Sequence, residues 1–223
     1  ISVNQDESVI AKWTLEDKTL TITGEGEIKN WEYKEQSDWH NNQYTTFIEN
    51  AVVDNRITFI GNYMFYNCTN LKNINIPESI TSIGSSAFEG CSSLINMNIP
   101  NSVTVIDDEA FSNCTSLENV VLSNNIKVIE SSTFNYCISL NSIVIPETVT
   151  VIEDNAFERC TNLTNIEIPQ GVTSIGDDVF YGCSNLQSIN VNSYNDNYIS
   201  ENGILFNKEK TELIKFPEGK TNY

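Results

Sequence analysis

Apolar and polar residues alternate along this chain in short bursts, and the bursts return with a fixed step. In Leu71–Ile76 the pattern L-x-x-I-x-I puts Ile74 and Ile76 two apart, the period of a strand with one buried face. The same burst starts again at Leu94, Leu117, Leu140, Leu163 and Leu186, each 23 residues on. Its last position is held by Ile76, Ile99, Leu122, Ile145, Ile168 and Val191. Proline follows at Pro77, Pro100, Pro146 and Pro169, with Ser123 and Asn192 as the departures. Proline stops a strand because it cannot donate to a ladder. Ile60, Ile83, Ile106, Ile129, Ile152 and Ile175 form a further column, which together with Ile80 reads as a second short extended or turn segment.

The rest of the unit carries two more columns. Phe65, Phe88, Phe111, Phe134, Phe157 and Phe180 each stand three residues before Cys68, Cys91, Cys114, Cys137, Cys160 and Cys183, and the leucine column stands three residues after. One unit, Cys68–Gly90, reads C-x-x-L-x-x-I-x-I-P-x-x-I-x-x-I-x-x-x-A-F-x-x. Before the phenylalanine lies a column of N-cap residue types: Asn62, Ser85, Asp108, Ser131, Asp154 and Asp177. That column predicts one short helical turn. Asn67, Gly90, Asn113 and Gly182 suit a left-handed residue at its end; Tyr136 and Arg159 suit it less.

A register of 23 held over so many columns is an internal repeat. Each unit is predicted to wind one coil of a solenoid, right-handed, with a parallel β-sheet and short helical turns. A single coil buries too little to fold alone. Stacking coils about 4.8 Å apart closes the parallel ladder and shares the apolar face. Cysteines in step with this repeat read as part of its core, beside Phe65, Leu71, Phe88, Leu94, Phe111, Leu117, Phe134, Leu140, Phe157, Leu163, Phe180 and Leu186.

The unit L-x-x-I-x-I-P…I-x-x-I-x-x-x-A-F-x-x-C resembles the leucine-rich repeat of BspA-like surface proteins, from about Phe47 to Val191. Phe47–Asn67 is a partial first repeat, with Ile48, Val53, Ile57, Ile60 and Phe65 in phase and Thr45 where a cysteine would stand. The resemblance implies a secreted or cell-surface protein of the kind found in oral and gut bacteria and protozoan parasites. It also implies a protein-binding role, in some members adhesion to host matrix proteins.

Residues 1–44 lie outside the repeat and read as an N-terminal cap. Trp13–Leu15 and Leu20–Thr23 alternate as two strands of a hairpin, and all three tryptophans, Trp13, Trp31 and Trp39, fall in this segment. They are expected to cover the apolar end of the first coil, with an exposed sugar-binding platform as the alternative. Residues 45–194 are the repeats. From residue 195 to 223 the register fails: Asn195 and Gly203 stand where isoleucine and phenylalanine belong. Ile204–Phe206 and Leu213–Pro217 read as a hairpin and the start of a further coil or cap. The signal and anchor of a surface protein are expected outside this sequence.

Charge narrows the function. The 223 residues hold 12 Lys and Arg against 30 Asp and Glu, a formal net charge of −18. No basic stripe exists to displace counterions from nucleic-acid phosphates or to hold the chain on an anionic membrane. No apolar run approaches the roughly 18–20 residues of a membrane helix, so no direct membrane insertion is expected in this segment.

Catalytic chemistry finds no constellation. His40 is the only histidine, and there is no G-x-S-x-G motif. Six thiols in one dry column fit buried free cysteine better than disulfides, whose dihedral parallel in-register side chains do not supply. No metal site and no cofactor are expected. Asp107-Asp108-Glu109, Glu153-Asp154 and Asp177-Asp178 read as capping carboxylates, with weak calcium collection as the alternative.

The candidate ligand face is the outward column of the first strand: Asn75, Asn98, Val121, Val144, Glu167 and Asn190. Val121 and Val144 are adjacent in it, and apolar residues on a solvent face can mark a contact patch. The expectation is a non-catalytic module for an extracellular protein ligand. A structural spacer presenting another domain, or a carbohydrate-binding module, are the alternatives.

Overall fold

The computed structural model describes residues 12–27 and 44–221. Trp31, Trp39 and His40 lie outside the described residues. The repeats wind a β-solenoid of about six turns, and residues 23 apart face each other in parallel register. Most coils contribute two short strands, so two parallel sheets run along the solenoid; the coil between β10 and β13 contributes only its second strand.

The first sheet is built from L-x-x-I-x-I. It contains β2 (Thr19–Thr23), β4 (Asn50–Val53), β6 (Asn73–Asn75), β8 (Asn96–Asn98), β10 (Asn119–Val121), β13 (Asn165–Ile168) and β15 (Ser188–Val191). Hydrogen-bonded pairing joins β2–β4–β6, then β8–β10, then β13–β15. β13 shows the predicted alternation, with Ile166 and Ile168 buried and Asn165 and Glu167 exposed. The strand ends where proline closes a turn, as in Ile80 N–H donating to Pro77 O at 3.0 Å.

The second sheet holds β3 (Gly26–Glu27), β5 (Ile57–Ile60), β7 (Ser82–Ile83) and β9 (Val105–Ile106) in one block. A further block joins β11 (Val128–Ile129), β12 (Val151–Ile152) and β14 (Ser174–Ile175). All eighteen phenylalanine, cysteine and leucine positions of the three core columns are buried between the sheets and the turn segment. The phenylalanine rings stack in one file, with centroids 5.2–5.9 Å apart and planes within 7°.

The short helical turn does not form: among the described residues there is no helix. The turn segment divides its N–H groups between two directions. Tyr63, Phe65 and Asn67 donate to Ser85 O, Ala87 O and Glu89 O of the next coil at 3.0, 2.7 and 2.7 Å. The interleaved Met64, Tyr66 and Cys68 close onto Gly61 O, Tyr63 O and Phe65 O, three residues back. A helix needs every N–H for its own axis; stacking takes every second one away. The alternation places a left-handed residue at each end of the segment. The pairs are Tyr63 and Asn67, Ser86 and Gly90, Glu109 and Asn113, Ser132 and Tyr136, Asn155 and Arg159, and Asp178 and Gly182. Tyr136 and Arg159 thus adopt the conformation that their side chains suit poorly, each at φ 58°.

The column read as helix caps bonds across coils instead. Asn62 Oδ1 accepts from Ser85 N at 2.9 Å, and Asp154 Oδ1 from Asp177 N at 2.8 Å. Glycine occupies the facing position in both places because a Cβ on Gly84 or Gly176 would lie 2.2 or 2.3 Å from those oxygens.

Antiparallel strands flank the described stack on both sides. β1 (Lys12–Glu16) pairs antiparallel with β2, and β2 pairs parallel with β4 in the register Thr19 to Asn50. Trp13 is buried in the core, its ring 6.2 Å from that of Tyr44. At the other end β16 (Tyr198–Glu201), β17 (Ile204–Asn207) and β18 (Leu213–Lys215) form an antiparallel meander. Asn202-Gly203, both with positive φ, turns β16 into β17. The meander and the chain following it supply the partners that a further coil would have supplied. Glu218 Oε1 accepts from Gly182 N at 2.9 Å, Gly219 N donates to Leu186 O at 2.8 Å, and Ser200 Oγ accepts from Val191 N at 3.1 Å.

Candidate ligand face

The outward column of the first sheet follows from the pleat. Ile74, Met97, Val120, Ile143, Ile166 and Ile189 point inward, so their neighbours on either side must face solvent. Asn75, Asn98, Val121, Val144, Glu167 and Asn190 are all exposed and stand on six successive coils. Val121 and Val144 expose 60% and 83% of their surface. Val52, one coil before Asn75, extends the column and is also exposed; a step of 23 back from Asn75 would have found it.

Two residues upstream runs an amide ladder. Asn73 Nδ2 donates to Asn50 Oδ1 at 2.9 Å, Asn119 Nδ2 to Asn96 Oδ1 at 2.8 Å, and Ser188 Oγ to Asn165 Oδ1 at 2.7 Å. Ser142 leaves the ladder and donates to its neighbour Asn141 Oδ1. Strand pairing lapses on that same coil: it stops at β10 and resumes at β13, and Val144 lies on the coil between. Chain entering the strand adds Ile95, 43% exposed, and Glu118, whose N–H donates to Ile95 O at 2.9 Å.

The cysteines are free and buried, as the repeat register predicts. Each thiol from Cys91 to Cys183 donates to the carbonyl of the phenylalanine one coil before, as Cys91 Sγ does to Phe65 O and Cys114 Sγ to Phe88 O, both at 3.2 Å. Burial pushes every thiol far from ionisation, Cys183 up to about 12 and the others higher. A buried protonated thiol is neither nucleophile nor metal ligand.

The carboxylates of the turn segment run along a different edge. Burial raises the pKa of Asp107, with Asp108 adding to the effect. Burial also raises that of Glu130, with Asp108, Glu153 and Asp107 adding. Among the described residues no three His, Cys, Asp or Glu converge as a metal site. At the N-terminal end a hollow is lined by Lys12, Thr23, Gly24, Glu25 and Arg56, but Arg56 is engaged by Asp54 through Nη2–Oδ2 at 2.7 Å. No described helix is long and apolar enough to cross a membrane.

Comparison with known proteins bears on this arrangement directly. The family model for the BspA-type leucine-rich repeat region matches residues 41–163 and 127–223, with six copies. A leucine-rich cell-surface protein of Faecalibacterium prausnitzii is 30% identical with a TM-score of 0.75. That match covers 97% of this chain and 62% of the other. A leucine-rich repeat protein of Eubacterium ventriosum is 28% identical with a TM-score of 0.63, covering 100% of this chain and 52% of the other. One of Bacteroides ovatus is 27% identical with a TM-score of 0.52, covering 84% and 64%. The chain thus spans about 62% and 52% of the lengths of the first two. Comparison with curated protein sequences finds no match. The 23-residue register, the two parallel sheets and the family match over the repeats agree, and the chain belongs to the BspA-type leucine-rich repeat family.

Proposed function

We propose that the first-sheet face is a non-catalytic binding surface for an extracellular protein, in a protein secreted or displayed at a bacterial cell surface. The supporting observation is the pair Val121 and Val144, exposed side by side in a column otherwise filled by polar residues and Val52. Nothing in the fold needs valine there, since asparagine occupies the same position at Asn75, Asn98 and Asn190. Extended solenoid faces suit such binding because they offer a long, rigid surface. The description of the Faecalibacterium relative as a cell-surface protein supports the location. Adhesion to host matrix or cell-surface proteins is the form of binding that the family resemblance favours.

The test replaces Val121 and Val144 by the asparagine that neighbouring coils carry, which keeps the fold. Wild type and the double variant are compared for binding to immobilised extracellular-matrix proteins. Burying two valines is worth about 1.5–3 kcal/mol each, and about 1.4 kcal/mol is tenfold in affinity. The double variant is expected to bind at least about tenfold more weakly. Equal binding by both proteins overturns the reading, and a spacer predicts that equality.

A further inference from the structure

The charge around the valine pair points to the chemistry of what covers it. Residues 73–207 hold sixteen carboxylates and two cations, Lys127 and Arg159, a formal −14 of the chain's −18. Neither cation lies in the first sheet. Lys127 immediately precedes β11 in the second sheet, and Arg159 lies in the turn segment, 4.9 Å from the Tyr136 ring centroid and paired with Glu158. Lys72, just before β6, is held by Glu49 at 2.9 Å, which also binds Lys18. These two cations hold the Glu49 carboxyl down at about 2. Charge on the first coils is therefore compensated, and charge further along the face is not.

Three exposed carboxylates lie close to the apolar patch along the chain and the outward column. Glu118 stands three residues before Val121, Glu147 three after Val144, and Glu167 follows Val144 in the same outward column. Among the described residues none of the three is in an ion pair. An apolar centre close to uncompensated negative charge repels anionic surfaces and favours cationic ones. The amide pairs Asn50–Asn73 and Asn96–Asn119 add spare hydrogen-bonding capacity. Each such asparagine has a second N–H and a further lone pair beyond the ladder bond.

Resting on the proposed binding role of this face, we infer that its partner is a basic polypeptide segment. An aliphatic side chain of that segment packs on Val121 and Val144, and lysine or arginine on either side meets Glu118, Glu147 and Glu167. The amides take the segment's backbone.

Three synthetic nonapeptides test it: alternating lysine and valine, alternating glutamate and valine, and alternating lysine and serine. Binding is read by fluorescence anisotropy against the intact chain at low and physiological salt. The Lys–Val peptide is expected to bind, and to weaken as salt rises, because these charges are screened. The Glu–Val peptide is expected not to bind, and the Lys–Ser peptide to bind at least about tenfold more weakly than Lys–Val. Glu118→Lys with Glu167→Lys is expected to weaken the Lys–Val peptide at least about tenfold. Asp107→Lys with Asp178→Lys makes the same change in net charge on the turn edge, and is expected to weaken it less than about threefold.

No binding of the Lys–Val peptide up to about 1 mM, a Kd equivalent to about −4 kcal/mol, overturns the inference. So does Glu–Val binding as well as Lys–Val, or equal effects of the two charge-reversal pairs. If Val121→Asn with Val144→Asn abolishes matrix-protein binding while Glu118→Lys with Glu167→Lys does not, the face stands and the basic partner falls. If the valine variant changes nothing, the face itself is wrong.

Discussion

Replacing Asn195 by valine separates the logic of the repeat from the logic of the cap. By register Asn195 occupies the column of Ile80, Val103, Ile126, Val149 and Val172, so valine restores the repeat residue. The side chain is fully buried, and all of its hydrogen-bonding groups are used. Its Nδ2 donates to Pro169 O at 2.8 Å and Val172 O at 3.0 Å, while its Oδ1 accepts from Asn197 N and Tyr198 N, both at 2.8 Å. One amide thus closes the last coil and starts β16. Each bond contributes about 0.5–1.5 kcal/mol net, and an orphaned buried group costs about 1–3 kcal/mol. Burying valine returns at most about 1.5–3 kcal/mol. The expected net loss is about 2–4 kcal/mol. Urea unfolding followed by circular dichroism measures it, and amide exchange at Asn197 and Tyr198 localises it to the cap. Equal or greater stability of the valine variant would refute the argument that the cap overrides the repeat.

Three further outcomes follow from the same structure. Asp107, Glu130 and Glu89 have pKa values raised in the fold, first by burial and then by neighbouring carboxylates. The folded chain takes up these protons more readily than the unfolded one, so stability rises as pH falls from 7 through the raised values. It falls again at strongly acid pH as Glu49 and Asp54, each held at about 2 by cationic partners, are protonated. Thermal melts across pH should show this maximum, and Asp107→Asn with Glu130→Gln should flatten its neutral side. The native protein should resist a bulky water-soluble thiol reagent at all six cysteines until denaturant is added, as mass spectrometry would count; rapid native labelling would contradict the dry thiol row. Phe111→Ala opens the ring file between Phe88 and Phe134, 5.3 and 5.7 Å away. It should cost about 3–5 kcal/mol in urea unfolding; a loss below 1 kcal/mol would mean that the file repacks.

The order of residues alone dictates the coil. A register of 23 lies in the order of residues, and the pleat then dictates which faces water, so the core columns and the outward position of Val121 and Val144 were legible before any coordinates. Those features depend on spacing alone. Tertiary structure decided where each backbone group finds its partner. The residues Asn62 to Asn67 carry a helical signal, yet half of their N–H groups belong to the next coil, and no local pattern encodes a partner 22 residues away. For the same reason Asn195 reads as a failed repeat until the carbonyls of Pro169 and Val172 are seen waiting for it. The thiols read as small hydrophobes until the phenylalanine carbonyl of the preceding coil comes within reach. Hydrophobic periodicity is a property of the chain, and hydrogen-bond satisfaction is a property of the stack.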